Sequence, residues 1–227
     1  MNTNLIKVNY LTSYQQKLIV KLSNAVEAGN AEMAQFYAGM AISDAQKRQC
    51  LQLSANVHFL MYNLYMQLKN YSKAETEIDF TILYIKKTQQ SNGYNDKNLA
   101  FYRDSLIYKA SLYIRMEKYQ EAIPVYTEAL EVSLDMDDVM FSISISETLG
   151  ICQRALGDHN AAWSNLVSGW KLIETLGESI FHSGQFCKLY ALEMMKISPA
   201  YIEIRYINRF NLLWGEDWEK RVYHNST

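Results

Sequence analysis

The residues able to do acid–base, nucleophilic or metal chemistry lie apart in this sequence. His58, His159, His182 and His224 fall on separate segments, and no paired-histidine helix motif offers the clustered ligands a zinc centre needs. Asp135, Asp137 and Asp138 resemble the start of a calcium loop. That loop needs glycine at its sixth place and a bidentate Glu at its twelfth, where Met140 and Ser146 stand. The cluster therefore reads as a solvated helix start, with carboxylates at the positive end of the helix dipole. No glycine-rich phosphate loop or nucleophile elbow occurs. The expectation is no catalytic residue, no metal site and no cofactor.

What remains is the chemistry of holding. Asn63 and Gln67 stand four residues apart, and a carboxamide can donate and accept together, matching the N–H and C=O of an extended ligand backbone. Arg115 and Arg154 carry forked donors suited to a carboxylate or carbonyl. Such residues act together only if one scaffold aligns them, so the scaffold has to be read next.

The stretch "RMEKYQEAIPVYTEAL" recurs in outline. Small anchors at Ala34, Ala74, Ala122 and Ala162 are spaced by 40, 48 and 40 residues. Around the third stand Ala110, Tyr113, Tyr119, Tyr126 and Ala129. The fourth unit has Gly150, His159, Leu166 and Gly169 at matching offsets. Each unit reads as a helix A, a short polar turn ("EAGN", "LKN", "MEK", "LGD") and a returning helix B. Small residues mark close helix approach, and aromatics three or four places away fill the space beside it. One hairpin cannot bury its apolar face alone, whereas a stack can.

This pattern resembles the tetratricopeptide (TPR) family. The small residue and aromatic three apart on helix A are Ala110 and Tyr113, and Ala122, Tyr126 and Ala129 follow on helix B. The resemblance spans about residues 14 to 176. It departs from the family in lacking the motif's terminal proline and in having repeats longer than 34 residues, which longer helices accommodate. The implied fold is all-α, a right-handed α-α superhelix of about ten helices forming a single domain over 1–227. Its repeats cover about 14–48, 51–91, 97–135 and 138–176, with capping helices within 179–213. The expected helices are 14–28, 31–48, 51–69, 71–91, 97–117, 119–135, 138–156, 159–176, 179–196 and 199–213. Ser198-Pro199 reads as the N-cap and first residue of the last one. Pro124 should remove one hydrogen bond within its helix.

In such a superhelix the A helices line the concave face. The register then places Asn56, Phe59, Asn63 and Gln67 in the groove from the second unit. The third supplies Tyr108, Ser111 and Arg115, and the fourth Glu147, Ile151 and Arg154. Some TPR proteins hold acidic chaperone tails with a lysine- and asparagine-rich clamp. Asn63 matches one asparagine place, but Ile19 stands where the first lysine belongs, which argues against that ligand. The long repeats also resemble those of bacterial peptide-pheromone receptors. Such receptors carry an N-terminal effector region, and only about thirteen residues precede the first helix here.

Composition agrees with a packed helical chain. Hydrophobic residues make up 49% and charged residues 20% of 227, with only 2 prolines and 9 glycines. Most of the 17 tyrosines, and Trp163 with Trp170, sit at helix-packing positions. Trp214 and Trp218 flank Gly215 and read either as a cap on the end of the stack, the plainer reading, or as a contact offered to a partner. A net charge of −2 provides no basic field for nucleic acid or an anionic membrane. Cys50, Cys152 and Cys187 are odd in number and fall within helical patterns, as buried free thiols of a reducing compartment do. No secretory signal or apolar run of membrane-spanning length occurs, so the expected location is the cytoplasm. The expected function is a non-enzymatic adaptor or regulator that binds a protein or extended peptide segment. The alternative is the ligand-sensing part of a bacterial signalling or transcription regulator. A homodimer remains open.

Overall fold

The computed structural model describes residues 11–92, 95–176, 185–197 and 200–220. These form ten helices and no strand. They are α1 (Ser13–Glu27), α2 (Ala31–Arg48), α3 (Leu51–Gln67), α4 (Tyr71–Asn92), α5 (Asp96–Arg115), α6 (Tyr119–Asp135), α7 (Val139–Ala155), α8 (His159–Thr175), α9 (Gln185–Met195) and α10 (Ile204–Trp214). The chain packs as two compact units, residues 1–116 and 117–227.

The turns repeat as faithfully as the helices. Gly29, Lys69, Glu117 and Gly157 all take positive φ, at 65°, 56°, 59° and 80°. Their spacing is the 40, 48 and 40 residues that separate the alanine anchors. At three of them the full Schellman pattern is present. Asn30 N–H donates to the Ala25 carbonyl, Asn70 N–H to Tyr65 and Asp158 N–H to Gln153, each across 2.9 Å. Each donor residue then caps the next helix: Asn30 Oδ1 accepts from Met33 N–H, Asn70 Oδ1 from Lys73 and Asp158 Oδ1 from Ala161. One residue thus closes one helix with its backbone N–H and opens the next with its side chain. That is how so short a turn reverses the chain.

In the first unit α1 packs on α2, α2 on α3, α3 on α4, α4 on α5, and α1 also meets α3. Ala34 and Ala74 are fully buried, among Leu22, Leu53, Leu60, Leu64 and Ile78. In the second unit α6 packs on α7, α7 on α8, and α9 on both α7 and α8. Ala122 and Ala162 are likewise fully buried. Gly150 has its reason in the α7–α8 crossing, since an added Cβ would lie 2.6 Å from Leu166 Cγ. Trp170, edge-on to Phe210 at 4.8 Å, anchors the far end of this unit.

The first eight helices match their expected spans to within two residues at either end. Two expectations need correction. The last helix begins at Ile204 with Glu203 at its N-cap, because Ala200 and Tyr201 form a turn. The Ser198-Pro199 signal itself lies outside the described residues, as does the start expected at 179. Cys50 is not inside a helix: it is the half-buried junction residue before α3, donating its N–H to the Ala45 carbonyl at 2.8 Å. Helix α6 runs unbroken through Pro124.

Candidate functional site

The A helices of the first unit carry the richer part of the predicted lining. Gln52, Asn56, Phe59, Asn63 and Gln67 occupy places on α3 that fall along one stripe at 3.6 residues per turn. They lie at different depths. Asn56 is only 1% exposed, Phe59 and Asn63 are half-buried, and Gln67 is exposed at the last residue of the helix. Asn56 Nδ2 and Gln52 Nε2 are both buried with no hydrogen-bond partner among the described residues.

Rings from α3 and α5 close over the middle of this stripe. Phe59 stacks on Tyr62 at 6.1 Å, meets the edge of Phe101 at 5.4 Å and tilts against Tyr108 at 5.2 Å. The Tyr62 hydroxyl donates to the Tyr108 carbonyl at 3.2 Å, which ties the two helices together. Tyr108 still leaves 43% of its surface to solvent. Ser111 is half-buried, and Arg115 ends α5 exposed. The structure therefore brings Phe59 and Tyr108 together in one aromatic platform. Phe101, absent from the predicted lining, joins them. Its signal was available: Phe101 and Tyr108 are seven residues apart, on one face of α5.

Behind the platform, α5 is fixed to α4 by polar contacts. Lys109 Nζ lies 2.7 Å from Asp79 Oδ1, and the Tyr113 hydroxyl donates to Glu75 Oε1 at 2.9 Å. Burial alone would depress the Lys109 ammonium, but the hydrogen bond and charge of Asp79 outweigh it and hold its pKa above the usual lysine value. Burial, then the bond to Glu75, push the Tyr113 phenol up.

In the second unit Glu147, Ile151 and Arg154 follow one another along α7, all half-buried. Arg154 is already engaged: its Nη2 lies 3.3 Å from Glu193 Oε2 on α9, and Glu193 also binds Lys196. A ligand carboxylate would have to compete with Glu193 for it. Burial, and secondly the charge of Glu193, raise the Glu147 carboxyl above its ordinary pKa, with Lys196 opposing.

The remaining reactive groups make contacts within the fold. The Asp138 carboxylate caps α7, accepting from Phe141 N–H at 3.4 Å. His159 lies against Tyr201 at 5.7 Å. Trp163 and Trp170 donate from their indoles to Glu203 and Glu174, and Trp218, 3% exposed, packs on Phe210. One arrangement was not anticipated: His58 Nδ1 sits 2.6 Å from Glu77 Oε2 and stacks on Tyr84 at 5.5 Å, joining α3 to α4. Among the described residues, no three of His, Cys, Asp and Glu converge as metal ligands, and no helix is long and apolar enough to cross a membrane.

Comparison with known proteins places the architecture. No protein-family model matches the sequence, and no curated protein sequence matches it. The fold is similar to the apo form of RapI, with a TM-score of 0.60 at 14% identity, over 93% of this chain and 81% of that one. It is also similar to BtubC (BKLC) from P. vanneervenii, with a TM-score of 0.54 at 14% identity, over 95% and 93% of the two chains. At such identities the likeness carries the fold: this chain is a TPR-like helical-repeat protein of long repeats.

Proposed function

We propose that this chain is a non-enzymatic adaptor or regulator that binds a protein segment or extended peptide along its A helices. The observation that carries the reading is the α3 stripe. Asn56 Nδ2 is buried with no hydrogen-bond partner among the described residues, with Phe59 and the half-exposed Tyr108 platform beside it on the chain's A-helix positions. A buried donor left unpaired costs about 1–3 kcal/mol, and a ligand carbonyl that displaced the side chains covering Asn56 would recover that cost. Asn63 and Gln67 extend the same amide chemistry toward the surface, where an extended backbone presents alternate donors and acceptors. Tyr108 supplies an apolar face for a ligand side chain, and Arg115 a forked donor at the end of α5. Glu147, Ile151 and Arg154 are the corresponding positions of the second unit.

Cytoplasmic residence accompanies this reading. No disulfide joins Cys50, Cys152 and Cys187. Burial pushes the Cys152 thiol up to about 11, which keeps it protonated and inert rather than nucleophilic.

The test is selection from a displayed library of random extended peptides, followed by binding measurements on the enriched sequences. Asn63→Ala and Arg115→Ala should weaken binding without moving the melting temperature. Lys73→Ala, on the exposed side of α4, should leave it unchanged. Failure of the wild type to enrich any sequence, or loss of binding only with Lys73→Ala, would remove the A-helix assignment.

A further inference from the structure

Helix α2 carries an apolar stripe that its place in the repeat does not require. Its buried face is Ala34, Ala38, Ala41 and Ala45. On the opposite side Met33, Phe36 and Met40 are exposed, Phe36 by 58%. The repeat offsets give an internal control. The same three places are Lys73, Thr76 and Phe80 on α4, Glu121, Pro124 and Glu128 on α6, and Ala161, Ser164 and Ser168 on α8. Only α2 fills all three with large apolar side chains.

A second feature lies at the middle of the same helix. Gly39 is exposed, and a Cβ added there would meet nothing within 4 Å. A glycine inside a helix costs about 1 kcal/mol against alanine. Among the described residues no packing calls for one, whereas close approach of another helix would.

We propose that α2 is a self-association surface, on which the α2 of a second copy lies antiparallel. A two-fold axis passing between Gly39 and Met40 sets large groups against small ones, because an isologous contact pairs each residue with its mirror along the helix. Met40 then faces Gly39 of the second copy, and Phe36 faces Ser43. The charges agree with the same axis. Glu32 stands in the first turn of α2 and Lys47 with Arg48 in the last, so Glu32 faces Lys47 of the second copy at both ends of the contact. At 18 residues the helix is about 27 Å long, and a strip of that length is smaller than a standard interface. The dimer is therefore a weak one that forms and dissociates with concentration. It is independent of the A-helix peptide site.

The test is sedimentation velocity of the full chain over a concentration series. The wild type should pass from monomer to dimer as concentration rises. Phe36→Ser should raise the dissociation constant by roughly a hundredfold, since each contact loses two buried rings. Glu32→Lys and Lys47→Glu should each weaken the dimer about tenfold, and the two together in one chain should restore it, because each new charge meets its opposite on the second copy. Circular dichroism confirms that these exposed changes leave the helices intact. A wild type that stays monomeric throughout overturns the proposal. So does a dimer indifferent to Phe36→Ser, or a charge-swapped double variant no stronger than either single one.

Discussion

The Tyr190 hydroxyl donates to the Leu166 carbonyl at 3.1 Å, and a Cβ on Gly169 would lie 2.0 Å from the Tyr190 hydroxyl oxygen. The bond between α9 and α8 therefore depends on a residue with no side chain. Gly169→Ala should force the tyrosine out or the helices apart, at about 1–3 kcal/mol. Tyr190→Phe removes the oxygen, so adding Gly169→Ala to that variant should cost clearly less. Chemical denaturation of the four proteins measures the coupling. Costs that simply add would mean that Gly169 and Tyr190 do not share this contact.

The non-glycine turn residues offer a second check on the repeat. Lys69 and Glu117 hold φ of 56° and 59°, where Gly29 and Gly157 stand in the other turns. Left-handed backbone costs a residue with a Cβ roughly 1–2 kcal/mol, part of which glycine gives back in unfolded-state entropy. Lys69→Gly and Glu117→Gly should each stabilise by roughly 0.5–1 kcal/mol. Unchanged or lowered urea midpoints would count against the shared turn geometry.

These turns also show what the sequence made legible. Spacing of the alanine anchors predicts the buried crossings and places the short turns, and the left-handed residue of each turn keeps the same spacing because one hairpin geometry is repeated. Depth along the A helices was harder to read. Register puts Asn56 and Asn63 on one stripe, but how far each is covered depends on neighbouring helices, and periodicity within α3 carries no such information. Arg154 is a similar case. Its partner Glu193 lies on α9, beyond the last alanine anchor, where no spacing indicates what faces what. The start of α10 was missed because Ser198-Pro199 is a strong local signal, and local signals do not report the turn at Ala200 and Tyr201.

Glu147 gives a pH dependence of definite sign. Burial, then Glu193, raise its folded pKa above the ordinary glutamate value of 4.5. The native state then holds this proton more tightly than the unfolded chain. Stability from this group falls as pH rises from the unfolded value through the folded one, and stays lower above it. Glu147→Gln should therefore raise the melting temperature at neutral pH. At a pH well below 4.5, where the carboxyl is protonated in both states, the gain should shrink. Calorimetry across that range decides it: a gain independent of pH would assign the effect to packing instead of charge.

The sharpest consequence of the A-helix site is a pair of opposite effects at Asn56. Its side chain is buried and its Nδ2 lacks a hydrogen-bond partner among the described residues. Leucine has a similar shape and no polar atom, and exchanging an unsatisfied buried group for an apolar one of like size is neutral or stabilising. Asn56→Leu should thus raise stability, by about 1–2 kcal/mol, and at the same time weaken any peptide selected against the wild type. Asn63→Ala, half-buried on the same stripe, should weaken that peptide while shifting stability by no more than about 0.5 kcal/mol. A stabilised Asn56→Leu that still binds would mean the amide contributes nothing to recognition. A destabilised one would mean the amide is satisfied within the fold, through an ordered water, and holds α3 in place rather than a ligand.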